Sequence, residues 1–226
     1  MATFDEILAG IRPAAILDVG CGCGDRTLHL CRHAPRVIAV DVMTPPHRRW
    51  APIRKPAELE FGCMDARLLG FADASFPLVV ERDSLHHIDD WKRALEEMIR
   101  VSYDAILIDE PLDDLRTIEK TRTYEAQCLF IELQQEVGYS HFRHLALDTL
   151  ITTIGERASI VAAHVEACDT PIPFEVFFES YDVFAQRSGR ADYWRERREA
   201  FRASLGTIQL CDDDRLTILA TKQPRD

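Results

Sequence analysis

The segment from Ile16 to Asp41, ILDVGCGCGDRTLHLCRHAPRVIAVD, limits what this chain can fold into more than any other. A short apolar run over 14–17 ends at Asp18, and glycines follow at the alternate positions 20, 22 and 24. Asp25 then opens a stretch whose apolar Leu28, Leu30 and Cys31 predict a helix. A second apolar run, Val37 to Val40, stops at Asp41. Strand, glycine turn, helix, strand and terminal acid make a βαβ unit that binds a ligand at its turn. The glycines let the backbone reverse sharply and approach that ligand with no Cβ in the way. Asp41, 21 residues past Gly20, stands where a carboxylate accepts hydrogen bonds from ribose hydroxyls.

A dinucleotide fingerprint, G-x-G-x-x-G, would need its third glycine at position 25, which is Asp25. A carboxylate at that helix N-terminus repels a pyrophosphate. The D-x-G-x-G-x-G spacing instead resembles the cofactor loop of class I S-adenosylmethionine-dependent methyltransferases. Their cofactor carries no phosphate, so Asp25 is harmless there and is free to cap the helix.

A second segment strengthens the likeness. MDARLLGFADASFPLVVERDSLHHIDDWKRALEEMIRV is similar to the middle of the type 11-like small-molecule methyltransferases, which include enzymes of ubiquinone and menaquinone synthesis. The resemblance covers about residues 14–111. It implies S-adenosyl-L-methionine as cofactor and a small-molecule acceptor. It also implies that Asp65 and Ala66 flank the adenine and that Glu81 and Arg82 border the methionine tail. The cofactor set expected on these grounds is Asp18, Gly20, Cys21, Gly22, Asp41, Val42, Asp65, Ala66, Glu81 and Arg82. Two departures stand out: Pro77 replaces the acid usual at the start of the fourth strand, and Ser102-Tyr103-Asp104 replaces a Lys-Pro-Gly-Gly turn.

At 226 residues the chain suits one α/β domain with insertions, and its 46% hydrophobic and 29% charged content is that of an ordinary soluble protein. A net charge of −11 argues against a broad nucleic-acid footprint. No apolar run approaches the ~20 residues of a membrane span. The start, MATFDEILAG, lacks the basic and apolar regions of a signal peptide, so a cytoplasmic location is expected. The seven cysteines, at 21, 23, 31, 63, 128, 168 and 211, include no C-x-x-C and are expected as reduced core thiols. Cys21 and Cys23 would line the glycine loop as oxidation or alkylation sites. Their C-x-C spacing is poor for zinc, and no metal is expected.

The remaining elements follow from periodicity. Thr3 to Ala9 predicts a lead-in helix stopped by Pro13. The proline-rich, basic segment 43–56 around Trp50 predicts a loop. Strands are expected at Glu60 to Met64, Leu78 to Val80 with Pro77 at the first position, and Ala105 to Ile108. A helix capped by Asp89 or Asp90 is expected to run to Arg100. Together these predict a doubly wound, Rossmann-like sheet, mostly parallel, with ligands outside the carboxyl ends of its strands. Further on, a long helix from Asp114 to Val137, opened by Asp113 or Asp114 and ended by Gly138, precedes a second through Leu150. A sixth strand at Ser159 to Ala167, helices at Phe174 to Ala185 and Tyr193 to Leu205, and an antiparallel last strand at Arg215 to Thr221 complete the chain. One domain is expected, with its core at about 10–111, 159–169 and 214–222 and a helical cap at about 112–158 and 170–205.

Methyl transfer is an in-line displacement at a sulfonium carbon, in which the protein supplies alignment and, for oxygen or nitrogen acceptors, a base. His86 and His87 are the first candidates for that base, ahead of Glu110, His141 and His144. The competing role for His87 is that of a buried residue fixing the loop. At least half of the aromatic set Tyr124, Phe130, Tyr139, Phe174, Phe177 and Phe178 is expected in the core and the remainder around a largely apolar acceptor pocket. Another transferase or a lyase on this fold, and a non-catalytic cofactor-binding module, are the rival functions. The acceptor atom and the oligomeric state stay open at this point.

Overall fold

The computed structural model describes residues 3–43 and 58–222. The proline-rich segment around Trp50 lies outside the described residues. In chain order the elements are α1 (Phe4–Ile11), β1 (Ile16–Val19), α2 (Thr27–Leu30), β2 (Arg36–Asp41), β3 (Glu58–Cys63) and β4 (Phe76–Arg82). A 3-10 turn (Leu85–His87), α3 (Trp91–Val101), β5 (Ser102–Leu112), α4 (Ile118–Glu136), α5 (Leu147–Gly155) and β6 (Ala158–Glu166) follow. The chain closes with β7 (Pro171–Ile172), α6 (Phe174–Phe177), α7 (Tyr181–Arg187), α8 (Ala191–Leu205), β8 (Leu210–Cys211) and β9 (Asp214–Lys222). Two compact units result. The first comprises Met1–Glu110, Leu147–Val165 and Leu216–Asp226; the second comprises Pro111–Ala146 and Glu166–Arg215. Helix α5, expected in the cap, thus belongs to the sheet unit.

The first unit is built on a seven-stranded sheet in the order β3-β2-β1-β4-β5-β9-β6, mostly parallel with the last strand reversed. Val19 lies opposite both Val40 and Glu81, and Asp41 lies opposite Cys63, so the carboxyl ends of β3, β2, β1 and β4 stand side by side. β1 and β4 are near-continuous buried runs because helices cover both faces of such a sheet, whereas the edge strand β3 alternates exposed and half-buried residues. On one face Phe4, Ile7 and Leu8 of α1 pack with Leu30, Val37, Leu78, Val80 and Leu107. Helix α1 starts in a reciprocal cap: Glu6 N–H donates to the Thr3 hydroxyl and Thr3 N–H to the Glu6 carboxylate. Pro77 is the second residue of β4 and not the first. The β4–β5 register shifts between Phe76 and Leu78, which absorbs the missing N–H.

In the second unit, α4, α7 and α8 enclose a core of Ala126, Leu129, Leu133, Phe178, Tyr181, Ala185 and Trp194. Helix α4 begins at Thr117 and not at Asp113 or Asp114, because Arg116 holds the Asp114 carboxylate through its backbone N–H and guanidinium at 2.8–3.0 Å. It ends before Gly138 at φ +78°, as the sequence predicts. The Phe-rich helix is split into α6 and α7. The two-stranded antiparallel ribbon of β7 and β8 is an addition, too short to show any alternation in sequence. All seven cysteines are free. Cys31 and Cys211 are the buried thiols expected of them all, whereas Cys23 and Cys63 are exposed. Among the described residues no helix is long and apolar enough to cross a membrane.

Candidate active site

The glycine turn is held by the ends of β1 and β2. Gly20 N–H and Cys21 N–H both donate to the Val40 carbonyl, at 2.8 and 3.1 Å. Gly22 N–H donates to Asp41 Oδ2 at 2.9 Å, and Met43 N–H to Asp41 Oδ1 at 2.9 Å. Gly20 and Gly22 have φ of +75° and +53°, in the left-handed region that side chains resist. The space around them differs. Among the described residues a Cβ on Gly22 would meet nothing within 4 Å, whereas one on Gly20 would sit 2.2 Å from Ser84 Oγ. The turn is therefore closed beneath Gly20 and open above Gly22. Each oxygen of Asp41 accepts one backbone N–H, and a carboxylate has about four lone-pair positions, so acceptor capacity remains for a ligand's hydroxyls.

Around this turn stand the other expected residues of β1 to β3. Asp18 is buried and accepts the Thr27 hydroxyl at 2.5 Å; burial pushes its carboxyl up to about 6, and the Thr27 bond opposes that rise. Burial, followed by the charges of Asp18 and Asp41, raises the Cys21 thiol. Val42 is exposed and Ala66 buried. Asp65 follows β3 and is gripped by Arg67, whose backbone N–H and guanidinium bond it at 2.7–3.1 Å and hold its carboxyl below the usual range. Asp25 does not cap α2. The helix starts one residue later at Arg26 without a side-chain cap, and Asp25 takes the Cys23 thiol instead.

Glu81 and Arg82 part company. Successive residues of a strand face opposite sides. The Arg82 guanidinium lies 4.7 Å above the Phe4 ring of α1 and pairs with Asp109 at 2.7 Å, which also accepts the Thr217 hydroxyl at 3.0 Å. Glu81 turns the other way and is fully buried. Its Oε1 accepts Ser84 N–H at 2.6 Å, Ser84 O–H at 2.7 Å and Leu85 N–H at 3.1 Å. Glu110, from the adjacent strand β5 and equally buried, accepts the same two backbone N–H groups on Oε1 at 2.9 and 3.2 Å. Glu110 Oε2 lies 2.8 Å from His86 Nδ1. His86 is buried, and the His87 ring centroid lies 4.4 Å from its own. Ser84 and Thr27, which the sequence reading passed over, tie this cluster to the turn: Ser84 Oγ is 3.3 Å from the Val19 carbonyl and touches the Gly20 backbone. Their only sequence signal is position, one after β4 and one at the start of α2.

Residues 17–104 match the family model of the methyltransferase domain. This segment is similar to methyltransferase domains. It contains the glycine turn, Asp41, Asp65 and Glu81, while Glu110 lies just beyond the matched residues. An uncharacterized methyltransferase of Mycobacterium tuberculosis (strain ATCC 25618 / H37Rv) is 34% identical to the chain over 98 residues, 42% of this chain and 50% of that protein. The chain therefore spans about half the length of the curated relatives it matches. Among solved structures, a SAM-dependent methyltransferase of Methanosarcina mazei has the same fold with a TM-score of 0.63 at 16% identity, over 100% of this chain and 99% of that one. The N-methyltransferase NodS of Bradyrhizobium japonicum WM9, solved with S-adenosyl-L-homocysteine, aligns with a TM-score of 0.53 at 15% identity, over 94% and 79%. The matched segment keeps its turn and acids on strand ends, as this fold requires of a ligand site.

Proposed function

We propose that the chain is an S-adenosylmethionine-dependent methyltransferase acting on a small-molecule acceptor. The observation that carries this reading is the turn itself: Gly22 N–H bonded to Asp41, no described residue within 4 Å of where a Gly22 Cβ would lie, and the carboxyl groups of Asp18 and Asp41 at the strand ends beside it. Acids placed there repel a pyrophosphate and suit a ligand with hydroxyls, an amine and a sulfonium charge. The bound cofactor supplies an activated methyl group. The chain's part is to hold it: Asp41 takes the ribose hydroxyls, the Gly20–Gly22 backbone lies against its methionine portion, and Asp65 with Ala66 borders the adenine. Arg82 is assigned to the Asp109 pair and not to the cofactor. Of the two histidines, His86 is committed to Glu110, and His87 is the one given the base role toward an oxygen or nitrogen acceptor. Among the described residues no membrane-crossing helix argues for a membrane-embedded acceptor.

A ligand that binds only the folded chain raises stability by about 2.7 kcal/mol at a hundredfold excess over its Kd. S-adenosylhomocysteine is expected to raise the melting temperature, and nicotinamide dinucleotides to leave it unchanged. The reverse pattern sinks the reading. Asp41→Ala removes charge-assisted acceptors from the ligand and an anchor from Gly22 N–H. Calorimetry is expected to find S-adenosylhomocysteine binding weakened by about 1.5–3 kcal/mol. Unchanged affinity would show that the ligand sits elsewhere. Release of S-adenosylhomocysteine from S-adenosylmethionine in the presence of an acceptor extract separates methyl transfer from other chemistry on this fold and from a binding module.

A further inference from the structure

The two buried glutamates present a problem of charge that the proposed function does not use. Glu81 and Glu110 are both fully buried, and both Oε1 atoms accept the Ser84 and Leu85 N–H groups, which brings the two carboxyl groups into one site. Two like charges so close and so buried repel each other, and a proton on one of them relieves the pair. With His86 in its Nδ1–H tautomer, three of the four oxygens face N–H or O–H donors: both Oε1 atoms take Ser84 and Leu85, and Glu110 Oε2 lies 2.8 Å from His86 Nδ1. Glu81 Oε2 is the buried oxygen with no such donor among the described residues. A proton there turns an orphaned acceptor into a donor and leaves Glu110 as the carboxylate that His86 and the two amides expect.

We propose that Glu81 and Glu110 are positioning residues that share one proton, carried on Glu81 Oε2, and that this pair sets the cofactor turn through Ser84. The linkage is short. The pair fixes Ser84 by its N–H and hydroxyl, and Ser84 in turn is the wall beneath Gly20, with Oγ 2.2 Å from where a Cβ there would lie and 3.3 Å from the Val19 carbonyl. Loss of the proton puts two like charges in one buried site and pushes the pair apart. Burial and then the Glu110 charge hold the Glu81 carboxyl well above the usual carboxylate range, in keeping with a proton retained near neutrality. The ionisable groups around the pair are His86 on the turn after β4 and Asp18 on β1, the latter itself pushed up to about 6.

The sign of the pH effect follows. A carboxyl with a raised pKa in the folded state binds a proton that the unfolded chain has lost. Its contribution to stability is whole below the unfolded value, about 4.5 for a glutamate, and is lost as pH rises toward the folded one. Glu81→Gln mimics the protonated acid permanently: its amide N–H₂ takes the place of Oε2–H, and its oxygen still accepts Ser84 and Leu85. Glu110→Gln does not, because an amide N–H₂ must then face either the two backbone N–H groups or the His86 side.

The inference rests on the proposed cofactor reading, and the experiment keeps the two apart. Stability without ligand is measured by urea unfolding from about pH 5 to about pH 9, and affinity for S-adenosylhomocysteine by calorimetry over the same range. Against wild type, Glu81→Gln is expected to gain stability progressively toward alkaline pH, with Kd within about threefold at pH 6. Glu81→Ala and Glu110→Gln are expected to bind at least about tenfold more weakly. The Glu81 charge also raises Asp18, so the difference between wild type and Glu81→Gln reports the Glu81 proton together with that coupling. Identical pH profiles of stability in wild type and Glu81→Gln would overturn the shared proton. Equal affinities for wild type, Glu81→Ala and Glu110→Gln would overturn the positioning role alone. Wild-type protein that binds no S-adenosylhomocysteine at any pH would overturn the cofactor reading and the positioning role with it, while the unfolding arm still decides the proton.

Discussion

Gly20→Ala is expected to abolish measurable cofactor binding and to destabilise the sheet unit. Two costs add. A non-glycine residue at φ +75° pays roughly 1–2 kcal/mol for the left-handed backbone. Its Cβ also meets Ser84 Oγ at 2.2 Å and Ser84 Cβ at 2.4 Å, so Ser84 or the turn must move. Overpacking of that kind costs about 1–3 kcal/mol. The two costs can be separated. Gly20→Ala with Ser84→Gly removes the collision and keeps the strain, so it is expected to regain part of the lost stability and little of the affinity, since Ser84 itself is gone. Among the described residues Gly22→Ala meets no atom within 4 Å and pays the backbone cost alone in the free protein. It is expected to unfold at higher urea than Gly20→Ala. Equal midpoints for the two glycine variants would mean that the wall beneath Gly20 yields freely.

Phe178→Ala is expected to cost about 3–5 kcal/mol of stability, the range for an aromatic side chain removed from a packed core. Phe178 is 2% exposed, with the rings of Phe174, Phe177, Tyr181 and Phe130 at 4.7–6.1 Å between centroids. The sequence reading offered it as a test of an acceptor pocket. Its burial makes it a stability residue of the second unit instead, and any loss of turnover would follow from unfolding. Val176, on helix α6 that Phe178 follows as C-cap but 56% exposed, is the control: Val176→Ala is expected to stay within about 0.5 kcal/mol of wild type. A Phe178→Ala protein with an unchanged urea midpoint would contradict the core assignment.

β1, β2 and β4 were legible because each is a short apolar run with a hard stop, while β5 runs on through Asp109 and Glu110 to Leu112 and β3 alternates. Asp41 ends one and Arg82 another, while Gly and Pro mark the gaps. The turn at Gly20 to Gly24 was legible for the same reason, since alternate glycines have few uses. The Glu81–Glu110 pair was not, because the partners lie 29 residues apart in sequence and meet only through the parallel register of β4 and β5. Arg82 is a different case. Its separation from Glu81 follows from the two-residue period of any strand, so the sequence held the signal, and the family likeness obscured it. In the second unit the aromatic run from Phe174 to Phe184 fits one helix or two equally well. Which it becomes is decided by how Phe178 and Tyr181 are buried together, a tertiary fact. Thr117 as the cap of α4 was hidden behind two aspartates that are better caps by type but are held by Arg116.

The strand order has a bearing on synthesis. β9 follows every other strand of the sheet in sequence, yet it lies between β5 and β6, inside the sheet and not at its rim. A ribosome must therefore deliver the chain through Lys222 before the sheet can close, and until then β5 and β6 each present an open edge to other nascent chains. A cut ahead of Asp214 does not trim a margin; it removes an interior plank whose Leu216, Ile218 and Ala220 are fully buried.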